Sequence, residues 1–263
     1  MGQSNKYKEK YALAKEMYLQ GEKSLTQIGK ELGMDRGRLS KNLKAEGIEV
    51  INKQNITKFN ENFFDKIDSE EKAYWLGFLY ADGSVSSNKN TIELSLQSND
   101  IKHLQKFKQD LNYFDDKHIY LDDVRCRIMI TNKHFKESLI NLGCIPKKSL
   151  VLTFPTPEQV PDEYIHHFVR GYVDGDGSVM IGQDHKGNYN KPRLSILGTE
   201  TFLKELVNKM GWRQAKIQHS SNVCCVEWSG KYVHDYLDSL YANANVYLDR
   251  KYQKYLDLQN CRS

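Results

Sequence analysis

Two short apolar segments of this chain, at residues 75–83 and 169–177, have nearly the same sequence. The first reads Trp-Leu-Gly-Phe-Leu-Tyr-Ala-Asp-Gly, the second reads Val-Arg-Gly-Tyr-Val-Asp-Gly-Asp-Gly, and Ser-Val follows both. Small residues four positions apart share one face of a helix and let two helix backbones approach closely. The repeat therefore predicts two helices packed side by side through their small residues, Gly77 with Ala81 and Gly171 with Gly175.

Each predicted helix ends in a carboxylate, Asp82 in the first copy and Asp176 in the second, 94 positions apart. Gly83 and Gly177 follow, and we expect each glycine to end its helix in a left-handed cap. An acid at a helix C-terminus opposes the helix dipole, which costs a few tenths to about 1 kcal/mol. A bound divalent cation would offset that cost and the repulsion between the two acids. A glycine-rich turn with a solvated aspartate would explain one copy, but the duplication disfavours it.

Length and composition set broad limits on the class of protein. The 263 residues are 39% hydrophobic and 27% charged, which allows two compact domains or one large domain with an appendage. No apolar run is long enough to span a membrane, and no signal-peptide core begins the chain. The five cysteines form no Cys-x-x-Cys pair, so we expect reduced thiols and a cytoplasmic location without membrane partners.

The first fifty residues carry ten Lys and Arg against seven Asp and Glu, whereas the rest of the chain is close to neutral. They predict a helix over Tyr7–Gln20, a second helix capped by Ser24, and a third from Arg36 to about Ala45 behind the N-cap Asp35. Helix, glycine-bearing turn and helix form the helix-turn-helix pattern of DNA-binding domains. The alternative is a three-helix protein-interaction module with a solvated basic face. The polar residues that avoid the apolar face of the third helix are the candidates for DNA contact: Arg36, Arg38, Lys41 and Asn42.

Alternating apolar and polar residues after each repeated segment predict antiparallel strands with one exposed face. The predicted strands are Thr91–Gln97, Arg125–Thr131, Pro192–Leu197 and Lys216–Trp228. The predicted helices between and after them are Ile101–Leu111, His134–Leu142, Thr201–Met210 and Lys231–Tyr241. Polar side chains on an exposed β-ribbon suit groove contacts with DNA, although a merely solvated face explains them equally well. The candidates on these strands are Arg125, Arg127, Arg193, Lys216 and Gln218.

The two repeated segments resemble the two motif copies of single-chain LAGLIDADG homing endonucleases. Their flanks agree, with Ala-Tyr-Trp at the first copy, His-Phe-Val-Arg at the second and Gly-Ser-Val after both. The resemblance covers roughly residues 55–263. It departs at Tyr80, which stands where the motif often has its first acid, matched in the second copy by Asp174. That position usually caps or packs, so the departure leaves the second acid of each motif as the functional one.

The resemblance implies an α+β fold of two pseudo-symmetric αββαββα halves that form a saddle over DNA, with the motif helices at their interface. The implied organisation is a helix-turn-helix domain over residues 1–48, a linker over 49–55, and two halves over 56–157 and 158–263. The protein would be a monomer bound to a long double-stranded DNA target in the cytoplasm of a bacterial or phage-infected cell.

The implied chemistry is Mg²⁺-dependent phosphodiester hydrolysis across the minor groove, leaving 3′ overhangs, with Mn²⁺ as a substitute ion. The metal site would comprise Asp82 and Asp176 together with the neighbouring Ala81 and Gly175. The family also places a basic and a polar residue near each centre. The nominated residues are Lys148 and Lys251 as the basic pair and Asn99 and Thr199 as the polar pair. A solvated surface lysine is the plain alternative for each basic residue.

Two other functions are compatible with the same motifs. A sporulation-regulator family joins a LAGLIDADG-like domain to a helix-turn-helix and cuts nothing, although there the helix-turn-helix follows rather than precedes, and the acids tend to be lost. An intron RNA maturase can share the fold and the acids. The sequence lacks the terminal residues of an intact intein, so we expect a free-standing or intron-encoded enzyme.

Overall fold

The chain divides between residues 57 and 58 into two units, Met1–Thr57 and Lys58–Ser263. The computed structural model describes residues 2–19, 25–48, 50, 59–113, 119–148, 151–183, 189–220 and 223–260. The predicted cap Ser24 and the predicted linker over 49–55, apart from Val50, lie outside the described residues. Of the helices described, none is both long enough and apolar enough to cross a membrane.

The described residues of the first unit form three helices, α1 (Gly2–Leu19), α2 (Leu25–Leu32) and α3 (Arg36–Ala45). Asp35 caps α3 as predicted, because its side chain accepts a hydrogen bond from the Arg38 amide at 2.8 Å. The turn between α2 and α3 is tight. A Cβ on Gly29 would lie 2.7 Å from the Met34 carbonyl oxygen, and Gly33 has a φ of +61°. The unit has its own small core, whose buried residues are Ala14, Tyr18, Leu25, Ile28, Leu39 and Leu43.

The second unit consists of two halves with the same order of elements. The first half comprises α4 (Glu70–Asp82), β1 (Gly83–Val85), β2 (Thr91–Gln97), α5 (Ile101–Asp110), β3 (Ile119–Leu121), β4 (Arg125–Thr131) and α6 (Lys133–Asn141). The second comprises α7 (Ile165–Asp176), β5 (Gly177–Gln183), β6 (Tyr189–Gly198), α8 (Glu200–Lys209), β7 (Ile217–Ser220), β8 (Val223–Ser229) and α9 (Tyr232–Tyr241), followed by α10 (Asp249–Asn260).

Each half forms a four-stranded antiparallel sheet with the same topology. The strand orders are β1-β2-β4-β3 and β5-β6-β8-β7. The α+β class and the two αββαββα halves are therefore confirmed. β2 and β4 coincide with the predicted ranges, because their alternating residues point into the core and into solvent in turn.

One predicted strand is wrong, and the described part of the chain contains four elements that the sequence did not predict, namely β1, β3, β5 and α10. The single strand predicted over Lys216–Trp228 is a hairpin of β7 and β8, and Lys216 lies just before β7. The short strands β1 and β3 are too brief to show a period in the sequence. Helix α10 has a mainly polar sequence, and its buried residues are Lys251, Tyr255 and Leu258.

The motif helices α4 and α7 pack against each other through their glycines. A Cβ on Gly77 would overlap the Phe168 carbonyl of α7, and a Cβ on Gly171 would overlap the Tyr74 carbonyl of α4. Gly175 lies against the Ala81 side chain in the same way. The predicted interface is therefore present, and only glycine at these positions lets the two backbones come this close.

The predicted left-handed caps at Gly83 and Gly177 are wrong. Gly83 has φ −73° and ψ 143°, and Gly177 has φ −93° and ψ 159°, so each motif helix continues directly into an extended strand. Glycine is needed there for space: a Cβ would lie 2.5 Å from the carbonyl oxygen of Leu79 at Gly83, and of Val173 at Gly177.

Substituting Gly171→Ala should destabilise the second unit, because the added methyl group overlaps the Tyr74 backbone carbonyl. We expect a loss of about 2–3 kcal/mol or more, since an overpacked rigid contact must move whole helices apart. Urea unfolding of the full chain measures it. Gly211→Ala is the control: its φ of +62° makes alanine strained there, but no atom lies within 4 Å. An equal or larger loss in the control would contradict the packing account.

Candidate active site

The glycine contact brings the two motif acids together. Asp82 is the last residue of α4 and Asp176 is the last residue of α7. A Cβ on Gly175, one residue before Asp176, would lie 3.3 Å from the Asp82 Oδ2 atom. The two carboxylates therefore extend from neighbouring helix ends, with one contributed by each half.

The surroundings disfavour the negative charge on both acids. Burial, together with the charge of Asp176, raises the pKa of Asp82 to about 6. Burial likewise raises the pKa of Asp176, against the opposing charges of Lys148 and Lys251. Asp82 is nevertheless exposed to solvent, so its side chain is accessible to a ligand. The pair would be stabilised by a cation.

A lysine reaches each helix end from a segment after the sheet of the same half. The Lys148 ammonium donates to the carbonyls of Ala81, at 3.2 Å, and of Gly83. Lys251, in the first turn of α10, donates to four carbonyls around the end of α7: Val173 at 2.7 Å, Asp174 at 2.6 Å, Gly175 at 3.3 Å and Gly177 at 2.6 Å. Both side chains are buried, and an ammonium there complements the partial negative charge of a helix C-terminus.

The two predicted lysines thus lie beside the two predicted acids, but their environments differ. Lys251 makes twice as many carbonyl contacts as Lys148 does. Burial and the charge of Arg250 lower the pKa of Lys251 to about 8, against the opposing effect of Asp174. A lysine with this pKa has an appreciable neutral fraction at slightly alkaline pH.

The oxygen donors suit a hard cation that keeps water ligands. Among the described residues no group of three or more His, Cys, Asp or Glu side chains could hold a metal. The donors available are the two carboxylates and, at Ala81 and Gly175, backbone carbonyl oxygens whose lysine contacts are the long ones, 3.2 and 3.3 Å. Mg²⁺ sites in proteins commonly have one or two carboxylates, with water and substrate phosphate as the other ligands.

The position two residues before each acid differs between the copies. Tyr80 donates to the Leu142 carbonyl at 2.5 Å and packs against Phe168. Asp174 is fully buried and accepts three hydrogen bonds from protein donors. These contacts agree with the expectation that this position packs or caps.

Of the two polar residues nominated beside the acids, Thr199 makes hydrogen bonds elsewhere. Thr199 caps α8 by accepting from the Phe202 amide at 3.2 Å, and its hydroxyl donates to the Leu152 carbonyl at 2.5 Å. Asn99 is an exposed residue of the 3₁₀ turn Ser98–Asp100. Thr199 therefore has a local structural role.

The sheet residues nominated for DNA contact are exposed. Arg125 and Arg127 lie on the exposed face of β4, and the Arg127 guanidinium lies 5.3 Å from the ring centroid of Tyr120. Arg193 is exposed on β6, and Gln218 is exposed on β7. Lys216 is also exposed, although it precedes its strand.

In the first unit, a tyrosine of α1 orders part of the candidate surface of α3. The Arg38 guanidinium lies 4.0 Å from the ring centroid of Tyr7, and Asn42 donates to the Tyr7 hydroxyl at 3.0 Å. Arg36 and Lys41 are exposed on the same helix. No sequence pattern pointed to Tyr7, because its contacts depend on how α1 and α3 pack.

A buried ion pair that the sequence did not predict joins the two halves at the other end of the motif helices. Arg170, which is 1% exposed, donates to Glu70 at 2.5 Å and also to the carbonyls of Leu240 and Val246. Glu70 also accepts from the Asn245 amide at 2.8 Å. The only sequence signal is a charged residue inside the apolar second motif.

Several solved protein structures are similar to this chain in fold. The double lysine mutant of I-SmaMI matches with a TM-score of 0.50 at 11% identity, over 72% of this chain and 89% of that one. I-SmaMI is a LAGLIDADG homing endonuclease that has also been solved bound to cleaved DNA. The chain has the LAGLIDADG fold.

Two further structures of this fold are similar to the chain. I-LtrWI, a LAGLIDADG homing endonuclease bound to target DNA, has a TM-score of 0.49 at 13% identity, over 76% of this chain and 90% of that one. The meganuclease I-AabMI, bound to uncleaved DNA, has a TM-score of 0.48 at 13% identity, over 74% and 89%. No family model matches the sequence, and no curated protein matches it significantly.

The raised pKa of Asp82 predicts a pH-dependent stability of the metal-free protein. The folded pKa is about 6 and the ordinary value is 3.8, so between these values the folded state binds more protons at Asp82 than the unfolded state does. The free energy of unfolding should therefore fall as the pH rises through this window. Urea unfolding in EDTA at a series of pH values measures it, and Asp82→Asn should remove part of the decrease. Identical pH dependence in the wild type and the variant would contradict the assignment.

Proposed function

We propose that the protein is a site-specific endonuclease that cuts both strands of double-stranded DNA by metal-dependent phosphodiester hydrolysis. The observation that carries this proposal is the pair Asp82 and Asp176, held side by side at the ends of two glycine-packed helices from equivalent halves. Two equivalent acidic centres suit a substrate with two equivalent reactive groups. The two antiparallel strands of duplex DNA present such a pair of phosphates across the minor groove.

The residues present suit Mg²⁺, and Mn²⁺ as a substitute. Asp82 and Asp176 would hold the cation together with the carbonyl oxygens of Ala81 and Gly175. When bound, the cation would activate water and stabilise the leaving 3′ oxygen. Lys148 and Lys251 hold the helix ends that carry the acids, and their positive charges stabilise the charge that develops on phosphate.

The exposed faces of the sheets would supply the long DNA-binding surface. Similar solved structures, including that of I-LtrWI, hold target DNA, and the exposed Arg125, Arg127 and Arg193 lie on strands of the two sheets. Lys216 and Gln218 would extend these contacts. Because the second unit is nearly neutral overall, its affinity must come from where these cations lie rather than from net charge. One chain carries both centres, so a monomer is sufficient.

The first unit would add DNA contacts through α3. Its net positive charge and the exposed Arg36 and Lys41 support binding in the major groove, with Tyr7 holding Arg38 and Asn42 in place. The exposed Lys44 would meet phosphate.

A non-catalytic regulator and an RNA maturase are the competing functions. Both retained acids and both buried lysines favour a nuclease over a regulator, because neither DNA binding nor folding requires two acids with raised pKa values. Incubation of the protein with a randomised duplex library and with structured intron RNA separates the candidates: a nuclease cuts DNA, a regulator only retains DNA, and a maturase retains RNA.

Substituting either Asp82→Asn or Asp176→Asn should abolish double-strand cleavage while DNA binding persists. Each substitution removes an oxygen charge that a cation needs, so we expect the cleavage rate to fall by at least about 100-fold. A duplex recovered from a randomised library by binding to the wild type, cut in the presence of Mg²⁺, is the assay. Asp257→Asn, an exposed acid on α10, is the matched control. Undiminished cutting by either motif variant would overturn the proposal.

The double substitution Arg36→Ala with Lys41→Ala should weaken DNA binding and reduce its salt dependence. If both side chains contact phosphate, the slope of log K against log salt concentration should become shallower by about 0.9 for each one removed. Binding of the same duplex at several salt concentrations measures it, with Lys8→Ala in α1 as the control. An unchanged slope would contradict a DNA-contacting α3.

A further inference from the structure

The carboxylate of Asp174, which is fully buried, has three hydrogen-bond donors around it. The Tyr74 hydroxyl donates to Oδ2 at 2.7 Å, the Tyr241 hydroxyl donates to Oδ1 at 2.6 Å, and the Leu248 amide donates to Oδ2 at 2.8 Å. Hydrogen bonds in a buried site of low polarity are electrostatically stronger than hydrogen bonds in water. The three donors therefore fix the carboxylate in one place. These four residues are called the Asp174 cluster below.

The members of the Asp174 cluster come from different parts of the second unit. Tyr74 belongs to α4 in the first half, and Tyr241 belongs to α9 in the second half. Leu248 directly precedes α10. The cluster consequently ties the end of α7 to the opposite motif helix and to the start of α10.

The start of α10 carries Lys251. The Lys251 amide donates to the Leu248 carbonyl at 2.9 Å, so Leu248 and Lys251 belong to one helical turn. The Lys251 ammonium then reaches the carbonyls at the end of α7, including that of Asp174 itself at 2.6 Å. A displacement of Leu248 would therefore move Lys251 relative to Asp176.

Side chains of the first half also hold this turn. Lys106 of α5 pairs with Asp249 at 2.5 Å, and Arg250 pairs with Asp100 at 3.1 Å. Both ion pairs cross from one half to the other, and their α10 members, Asp249 and Arg250, directly precede Lys251 in the sequence. They are partly exposed and weak individually, but they add to the buried contacts of the Asp174 cluster.

A buried histidine completes the chain of donors. His103 Nε2 lies 3.1 Å from the Tyr74 hydroxyl, which already donates its proton to Asp174. His103 Nε2 must then carry the hydrogen, and its Nδ1 atom has no partner among the described residues. Burial lowers the pKa of His103 to about 3, so this residue is neutral and its hydrogen bond orients Tyr74.

The first half has a different arrangement at the equivalent position. Tyr80 makes one hydrogen bond, to the Leu142 carbonyl, and Lys148 has two carbonyl contacts. The two lysines are therefore held to different extents, although the two acids are equivalent in sequence.

We propose that the Asp174 cluster positions the Lys251 ammonium at the end of α7, and that Tyr74 and Tyr241 are positioning residues for the one centre that Lys251 serves. This inference rests on the proposed nuclease function. It assigns a role to the acid that only the second motif retains. Losing either tyrosine hydroxyl should loosen Lys251 and slow the cleavage of one DNA strand while leaving the other strand nearly unaffected.

The test compares Tyr74→Phe and Tyr241→Phe with the wild type in the full chain. The substrate is a supercoiled plasmid that carries a duplex selected from a randomised library by wild-type binding, with single-turnover rates measured for each strand. We expect one strand to be cut at least about fivefold more slowly, so that nicked plasmid accumulates, because a small misplacement of a catalytic group lowers the rate steeply. DNA affinity should remain unchanged.

Tyr236→Phe is the matched control. Tyr236 also lies on α9 and is buried, and its hydroxyl accepts from the Arg213 amide at 2.8 Å, outside the Asp174 cluster. It should lose a comparable amount of stability without changing the ratio of the two strand rates. Equal slowing of both strands by the cluster variants, or a strand ratio equal to that of the control, would overturn the inference.

A second measurement does not depend on cleavage. Trace acetylation with acetic anhydride, read by mass spectrometry, reports how freely the Lys251 amine reacts in each variant. We expect at least about a threefold increase in Tyr74→Phe and none in Tyr236→Phe, because a loosened turn opens more often. An unchanged Lys251 reactivity would overturn the positioning role. A wild type that cuts no DNA would instead overturn the proposed nuclease, and the acetylation result would still decide whether the cluster positions Lys251.

Discussion

The close contact between α4 and α7 is the constraint on which the rest of the second unit depends. The helices meet where Gly77 faces the Phe168 carbonyl and Gly171 faces the Tyr74 carbonyl, with no room for a single added carbon. Because both helices end in an acid, the same contact that joins the halves also sets the spacing of Asp82 and Asp176. Packing and site geometry are thus one feature of the molecule, and a change that separates the helices also separates the carboxylates.

The buried charges follow from that arrangement. Two acids at helix C-termini are electrostatically unfavourable. Two buried lysines, Lys148 and Lys251, offset this cost, because their ammonium groups donate hydrogen bonds to the carbonyls at the helix ends. Around this symmetric centre the halves differ. The second half uses a buried carboxylate, Asp174, where the first uses the phenol of Tyr80. The two halves therefore carry the same acids at equivalent positions, but the hydrogen bonds around these acids differ between the halves.

The sequence predicted what depends on local periodicity. The small-residue pattern predicted the helix pair, and the alternation over residues 91–97 and 125–131 predicted β2 and β4. It could not reveal β1 and β3, because three residues show no period, or α10, whose polar sequence is helical mainly through packing of a few residues. The left-handed cap predicted at Gly83 was wrong because glycine can be required for either of two reasons, a positive φ or a lack of room for a side chain. The sequence does not distinguish these reasons. The acids and lysines of the site were predicted as candidates, but the contacts of Lys251 and the partners of Asp174 depend on segments distant in sequence.

The central claim is that Asp82 and Asp176 are close enough for the negative charge of Asp176 to raise the pKa of Asp82. The most direct measurement is the pKa of the Asp82 carboxyl, followed by ¹³C NMR titration of the metal-free protein with and without Asp176→Asn. A pKa of about 6 in the wild type that falls when the neighbouring charge is removed is the expected result. An Asp82 pKa that is the same in both proteins would mean that the two acids do not share a site.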